Sequence, residues 1–235
     1  MKNKIRLFCV FAVFAVGTLS AQTAVGTASS NGTIRTGGPT TNPWFHTAQG
    51  PGDFASYAIS SFSFSAGDFG FGTVTGISAA SISYTQSNAA FTNDGPISFH
   101  VSFDTTIAGG NYAGLAHTGA GAGVNDGEFS DSPTTQVIGT GTFTEVSSGT
   151  VDAYTLDFTG TLESLLVDAI NSGSSFSIIL ATSDPGAAVT YAGIENNTYP
   201  DQIDLSITAI PEPSTYAMLA GLAVAAVLLV RRRRR

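Results

Sequence analysis

Between Tyr57 and Ile207 the apolar residues of this chain recur at every second position, in short runs parted by Gly, Asn, Asp and Pro. Period-two alternation sends successive side chains to opposite faces of a strand, whereas a helix needs a period of 3.6. The runs are Tyr57–Phe64, Thr73–Tyr84, Ile97–Phe103, Val137–Val146, Tyr154–Phe158, Phe176–Leu180, Val189–Ile194 and Ile203–Ile207. In the first, the apolar face changes at Ser60-Ser61, which predicts a bulge there. Only Leu162–Ile170 departs, with apolar residues at 162, 165, 166, 169 and 170. That spacing predicts a helix over 161–171, begun at Thr159 or Thr161 and stopped by Asn171 and Gly173. No strand–helix–strand alternation is present, so a parallel sheet is not expected. The reading is an all-β chain, an antiparallel β-sandwich of jelly-roll-like type over residues 22–208 with that one short helix.

The two ends obey different rules. Lys2, Lys4 and Arg6 precede the apolar Leu7–Val16, and small residues follow up to Ala21, the pattern of a secretory signal peptide over 1–21 with a short helical core. At the other end Ser214–Val230 offers 17 largely apolar residues. A helix of that length covers roughly 25 Å, enough to cross a bilayer core of about 30 Å at its thin edge. Arg231, Arg232, Arg233, Arg234 and Arg235 then hold the last turn in the cytoplasm, which places everything before the span outside. Pro211, Glu212 and Pro213 stand just ahead of the span, where two prolines deny the segment a helix.

That order of Pro211-Glu212-Pro213, a single span and an arginine cluster resembles the PEP-CTERM sorting signal over residues 209–235. The resemblance implies recognition by exosortase in Gram-negative bacteria that make exopolysaccharide, with the tail cut near Pro211–Pro213. The body is similar, over a more diffuse set of residues, to DNRLRE-type jelly-roll domains. Val74–Tyr84 matches a strand of their first half, and Tyr191-Ala192-Gly193-Ile194-Glu195 stands where an aromatic-x-small-x-Glu element is expected, with Gly193 in place of a serine.

Subtracting the ends changes the charge. Of nine Lys and Arg, only Arg35 lies between Gln22 and Ile210; of seventeen acids, sixteen lie there, so the body carries a formal −15 against −8 for the whole chain. One cation cannot neutralise a phosphate backbone, which excludes nucleic acid as a partner. Cys9 is the single cysteine and sits in the leader, so the body has no disulfide or thiol chemistry.

Candidate sites are few. Trp44, beside Pro43 and Phe45, and Tyr112, in the Gly109-Gly110-Asn111 loop, are aromatic residues placed to stack on a sugar ring. Asn125, Asp126, Glu128 and Asp131 gather hard oxygens suited to calcium, although Asn-Asp-Gly is equally turn chemistry, and no cofactor is required. The three histidines, His46, His100 and His117, form no metal or triad motif, and the alternation around His100 predicts a side chain in solvent. The expected function is therefore that of an exported, non-catalytic surface or extracellular-matrix protein. Its partners would be the secretion machinery, exosortase, transiently the inner membrane, and extracellular polysaccharide in a biofilm. A carbohydrate-binding module is the alternative, and a glycan hydrolase with paired carboxylates is a third class.

Overall fold

The alternating runs form strands, and several Gly- and Thr-rich stretches join them. The computed structural model describes residues 20–40, 43–52, 54–87, 92–117 and 136–212, together with Gly221. Nearly all of the leader, Pro213, the expected span 214–230 apart from Gly221, Arg231–Arg235, and Asn125, Asp126, Glu128 and Asp131 lie outside the described residues. Among the described residues no helix is long and apolar enough to cross a membrane.

In chain order the elements are β1 (Gln22–Thr27), β2 (Ser30–Arg35), β3 (Gly38–Thr40), β4 (Phe45–Gln49), β5 (Ser56–Ser63), β6 (Val74–Thr85), β7 (Gly95–Ser102), α1 (Thr105–Ala108), β8 (Val137–Phe143), β9 (Val151–Leu156), α2 (Thr161–Ser172), β10 (Ser175–Ala181), β11 (Ala188–Ala192) and β12 (Ile203–Pro211). All strand pairs are antiparallel. One sheet runs β1-β12-β6-β9. In the larger sheet β5 pairs with β10, β10 with β7 and β7 with β8, while β5 also pairs with β2 along Ser56–Ser61 and with β4 at Ser56. β3 extends β2, and β11 extends β4. The arrangement is all-β and sandwich-like, without a closed barrel.

The sheets share one core. Ile82, Leu205 and Ile207 from the smaller sheet meet Phe62, Phe99, Ile178 and Leu180 from the larger, all buried, and Leu166 and Ile170 of α2 join them. The predicted bulge at Ser60-Ser61 is absent: β5 keeps an unbroken register against both β10 and β2. Its change of apolar face has another cause, which is burial on both sides. Ala58 and Phe62 face the main core, whereas Tyr57 and Ile59 join Ile34, Ile179 and Ala181 in a second cluster. The segment after β7 covers that cluster with Ile107, Tyr112 and Leu115. Its start is capped by Asp104, whose Oδ1 accepts from the Thr106 amide at 2.9 Å. A Cβ on Gly32 would meet the Tyr112 ring at 2.8 Å, so the strand is bare where the ring lies against it.

Helix α2 follows the predicted span and ends as expected, at Gly173 in the left-handed conformation with φ 67°. Its start differs: Gly160 precedes it, and no threonine side chain caps it. The helix also completes a sheet edge. β9 pairs with β6 only from Ala80 to Thr85, which leaves the first half of that edge without a strand. Asn171 occupies the gap like a backbone unit, accepting from the Val74 amide at 2.8 Å and donating to the Val74 carbonyl at 2.9 Å. Glu163 Oε1 accepts from the Ile77 amide at 3.0 Å. An open edge invites pairing with another chain, and two side chains close this one.

Asn171→Ala leaves a donor and an acceptor of Val74 unpaired beside the core. The expected loss is about 2 kcal/mol, within the range for orphaned buried polar groups. Urea unfolding of the two proteins measures it, with Asn171→Asp expected to lose the contact to the carbonyl alone.

Candidate functional site

Strand β12 runs through the main core and stops at Pro211. Pro211 is buried and pairs with Val74, while Glu212 is exposed. Proline has no amide to give, and the end of the strand is held from the carbonyl side instead. Thr75 Oγ1 donates to the carbonyls of Ile210 and Pro211 at 3.3 and 3.2 Å. Pro211 thus belongs to the sheet, and the chain leaves the sheet at Glu212.

The two aromatic candidates separate. Trp44 is 44% exposed on a turn whose backbone is fixed: its carbonyl accepts from the Gly193 amide at 2.9 Å and from Asn196 Nδ2 at 3.0 Å. Asn31 ties the same region together, accepting from the Ile194 amide at 3.0 Å and donating to the Phe45 carbonyl at 3.2 Å. Gly193 is required in this clasp, because a Cβ there would run into the Pro43 carbonyl and reach Asn31 Nδ2 at 2.8 Å. Tyr112 is corrected from a loop surface to an interior position. It is buried, and its hydroxyl lies 2.9 Å from Ser30 Oγ and 3.0 Å from Ser61 Oγ. Burial pushes its phenol upward from the ordinary tyrosine value. The chain's apolar run after Gly110 seats this ring against β2 rather than presenting it.

Beside the Trp44 turn lies a groove of about 490 Å³. Phe45, Thr47 and Gln49 of β4 line it, alternating along the strand with buried His46 and, in part, Ala48. Thr190 of β11, Phe54 and Arg35 complete its wall. The composition had already isolated Arg35 as the body's only cation; nothing in the local pattern around Phe45 and Phe54 had shown that they meet it.

A family model described as the PEP-CTERM protein-sorting motif matches residues 209–235. The C-terminus carries that sorting motif. It implies an exported protein with a C-terminal signal that exosortase processes. No curated protein matches the chain. The PEP-CTERM match begins at Ala209, so its first three residues are the last three of β12. Pro211 and Glu212 of the motif thus fall on either side of the point where the sheet ends, and Pro213 and Arg231–Arg235 lie outside the described residues.

The histidines serve the interior. His100 is buried rather than in solvent, because the face opposite Phe99 and Val101 is itself covered; its Nε2 lies 3.2 Å from Ser98 Oγ. His117 is buried, its ring 5.8 Å from that of Tyr57. His46 stacks on Tyr84 at 5.3 Å, and neither of its ring nitrogens has a hydrogen-bond partner among the described residues. Tyr84 in turn stacks on Tyr191 at 4.8 Å. The Tyr191 hydroxyl reaches Asp152 Oδ2 at 2.9 Å and the Tyr154 hydroxyl at 2.8 Å, and Gln86 Nε2 donates to the same Asp152 oxygen at 2.9 Å. Burial pushes the Tyr154 phenol up to about 12 and Tyr191 upward as well. Among the described residues no group of three or more His, Cys, Asp or Glu side chains is placed to hold a metal.

Burial pushes the His46 imidazole down to about 3 from its ordinary 6.5, so the folded protein refuses a proton that the unfolded chain accepts. Its contribution to stability is complete above pH 6.5 and is lost as the pH falls toward 3. The expected slope approaches ~1.4 kcal/mol per pH unit. His46→Phe keeps the stack on Tyr84 and removes this share, which denaturant midpoints measured between pH 7 and 4 resolve by difference. Gly193→Ser, which places a side chain against the Pro43 carbonyl, is expected to destabilise by about 2 kcal/mol through overpacking. Thermal unfolding at fixed pH checks it.

Proposed function

We propose that this chain is a non-catalytic protein of the cell surface or extracellular matrix. It is exported behind its leader, anchored briefly in the inner membrane by its C-terminal span, and released by exosortase among exopolysaccharide. The body is a jelly-roll-like sandwich module, and its work is adhesion or scaffolding. The observation that supports the reading is the junction at Pro211, where the PEP-CTERM motif begins within a strand that stays paired with β6 to its last residue. A cut at or beyond Pro211 removes the tail and leaves every pairing of β12 in place. The acidic body, formal −15, lowers the affinity for anionic lipid once the arginines are gone.

A glycan-binding role is the second reading. It is favoured by exposed aromatic side chains, Trp44 at 44% and Phe54 at 68%, and by the groove that Phe54 shares with Phe45.

Intact mass of the mature protein, from an exosortase-positive host and one lacking the enzyme, tests the first reading. The expected product ends at or after Pro211 in the former and retains Arg231–Arg235 in the latter. Retention of the arginines in both hosts makes the tail a permanent anchor and overturns the proposal.

A further inference from the structure

The groove beside the Trp44 turn brings together features scarce elsewhere in the body. Arg35 is the single Lys or Arg between Gln22 and Ile210, and it stands in the groove wall. Among the described residues no carboxylate forms an ion pair with it. Its backbone is fixed three ways, by the ladder to Ser56, by the ladder to Gly38, and by the His117 amide donating to its carbonyl at 3.0 Å. A guanidinium is a planar fork that meets a carboxylate with two parallel hydrogen bonds. Phe45 and Phe54 stand in the same wall, 37% and 68% exposed. Large apolar side chains exposed around a concavity mark binding surfaces more often than isolated ones do. Thr47, Gln49 and Thr190 add hydroxyl and amide groups along the floor. Thr47 is held in place, its amide and hydroxyl bonded to Thr33 Oγ1 at 3.1 and 3.0 Å.

We propose that this groove binds a carboxylated sugar, a uronate residue within an otherwise neutral glycan. Arg35 takes the carboxylate, Phe54 and Phe45 cover the apolar faces of the sugar rings, and Gln49, Thr47 and Thr190 meet hydroxyl groups. A neutral sugar alone leaves the guanidinium without a carboxylate partner among the described residues. A continuous polyanion is disfavoured by the −15 of the body, because several carboxylates at once sit within a Debye length, about 8 Å in physiological salt, of an acidic surface. Sparse carboxylates among neutral rings satisfy both conditions. The proposal rests on the exopolysaccharide reading above for the presence of such a glycan, and it names the subset of glycans that the site selects.

The test is titration calorimetry on the full-length protein in a polyoxyethylene detergent, which carries no sugar headgroup. The probes are glucuronosyl-xylobiose, its neutral counterpart xylotriose, and the acidic peptide Gly-Glu-Gly. The acidic trisaccharide is expected to bind at least tenfold more tightly than xylotriose. Arg35→Gln is expected to cost at least tenfold and to abolish that preference. Phe54→Ala, at an exposed site where folding is not at stake, is expected to weaken both sugars several-fold. Raising the salt to 1 M weakens the acidic sugar alone, a measurement that needs no variant. Equal binding of the two sugars, an unaltered Arg35→Gln protein, or no binding of the acidic sugar overturns the inference. Tighter binding of the peptide overturns it too, in favour of a protein partner. None of these outcomes touches the sorting reading, which the masses of the mature protein decide separately.

Discussion

Burial of the β5–β10 pair on both faces is the constraint on which the rest of the body depends. A sheet in a sandwich usually keeps one face for solvent, and its strands then alternate apolar and polar. Here Phe62 and Ile178 look into the space between the sheets, while Tyr57, Ile59 and Ile179 look outward into a second cluster. The outward face must be roofed, and the segment carrying Ile107, Tyr112 and Leu115 does so. Small polar residues make the double packing feasible. Ser61 and Ser177 lie opposite each other at 3.1 Å, and Tyr112 shares its hydroxyl with Ser61. The segment also returns to β2, where the His117 amide meets the Arg35 carbonyl and fixes the wall of the groove.

Strands built on a clear alternation were legible in the sequence. Ile97–Phe103, Tyr154–Phe158, Phe176–Leu180 and Ile203–Ile207 all overlap strands, the first two running one and two residues past the end of theirs, and the helical spacing at Leu162–Ile170 marks α2. The first four strands were not legible, because Gln-Thr-Ala-Val-Gly-Thr and Ser-Asn-Gly-Thr-Ile-Arg hold too few large apolar residues to show a period. Their stability comes from partners far along the chain: β1 lies against β12 and β2 against β5. Ser60-Ser61 misled for the opposite reason. A parity change in one strand signals a bulge when one face is buried, and signals nothing when both are.

The same asymmetry governs the candidate sites. The tail is a local code of residue order, so Pro211, Glu212 and Pro213 could be read directly. The groove is a product of topology. Arg35, Phe45 and Phe54 meet only because β2 and β4 both reach the early part of β5, and no spacing along the chain encodes that. Tyr112 shows the converse error, since a glycine-rich loop suggested exposure while Gly32 on a distant strand had cleared a seat for the ring. Gly193 is bare for a comparable reason: the Pro43 carbonyl occupies the space that a side chain would fill.

The position of β12 has a mechanical meaning. It is flanked by β1 on one side and β6 on the other, and the chain continues from its end into the rest of the sorting motif. A pull along the strand's own axis shears its ladders rather than peeling one bond at a time. Tension applied through the motif falls on a strand that is paired along both edges for most of its length. The domain is built to be tugged from its C-terminus without coming undone.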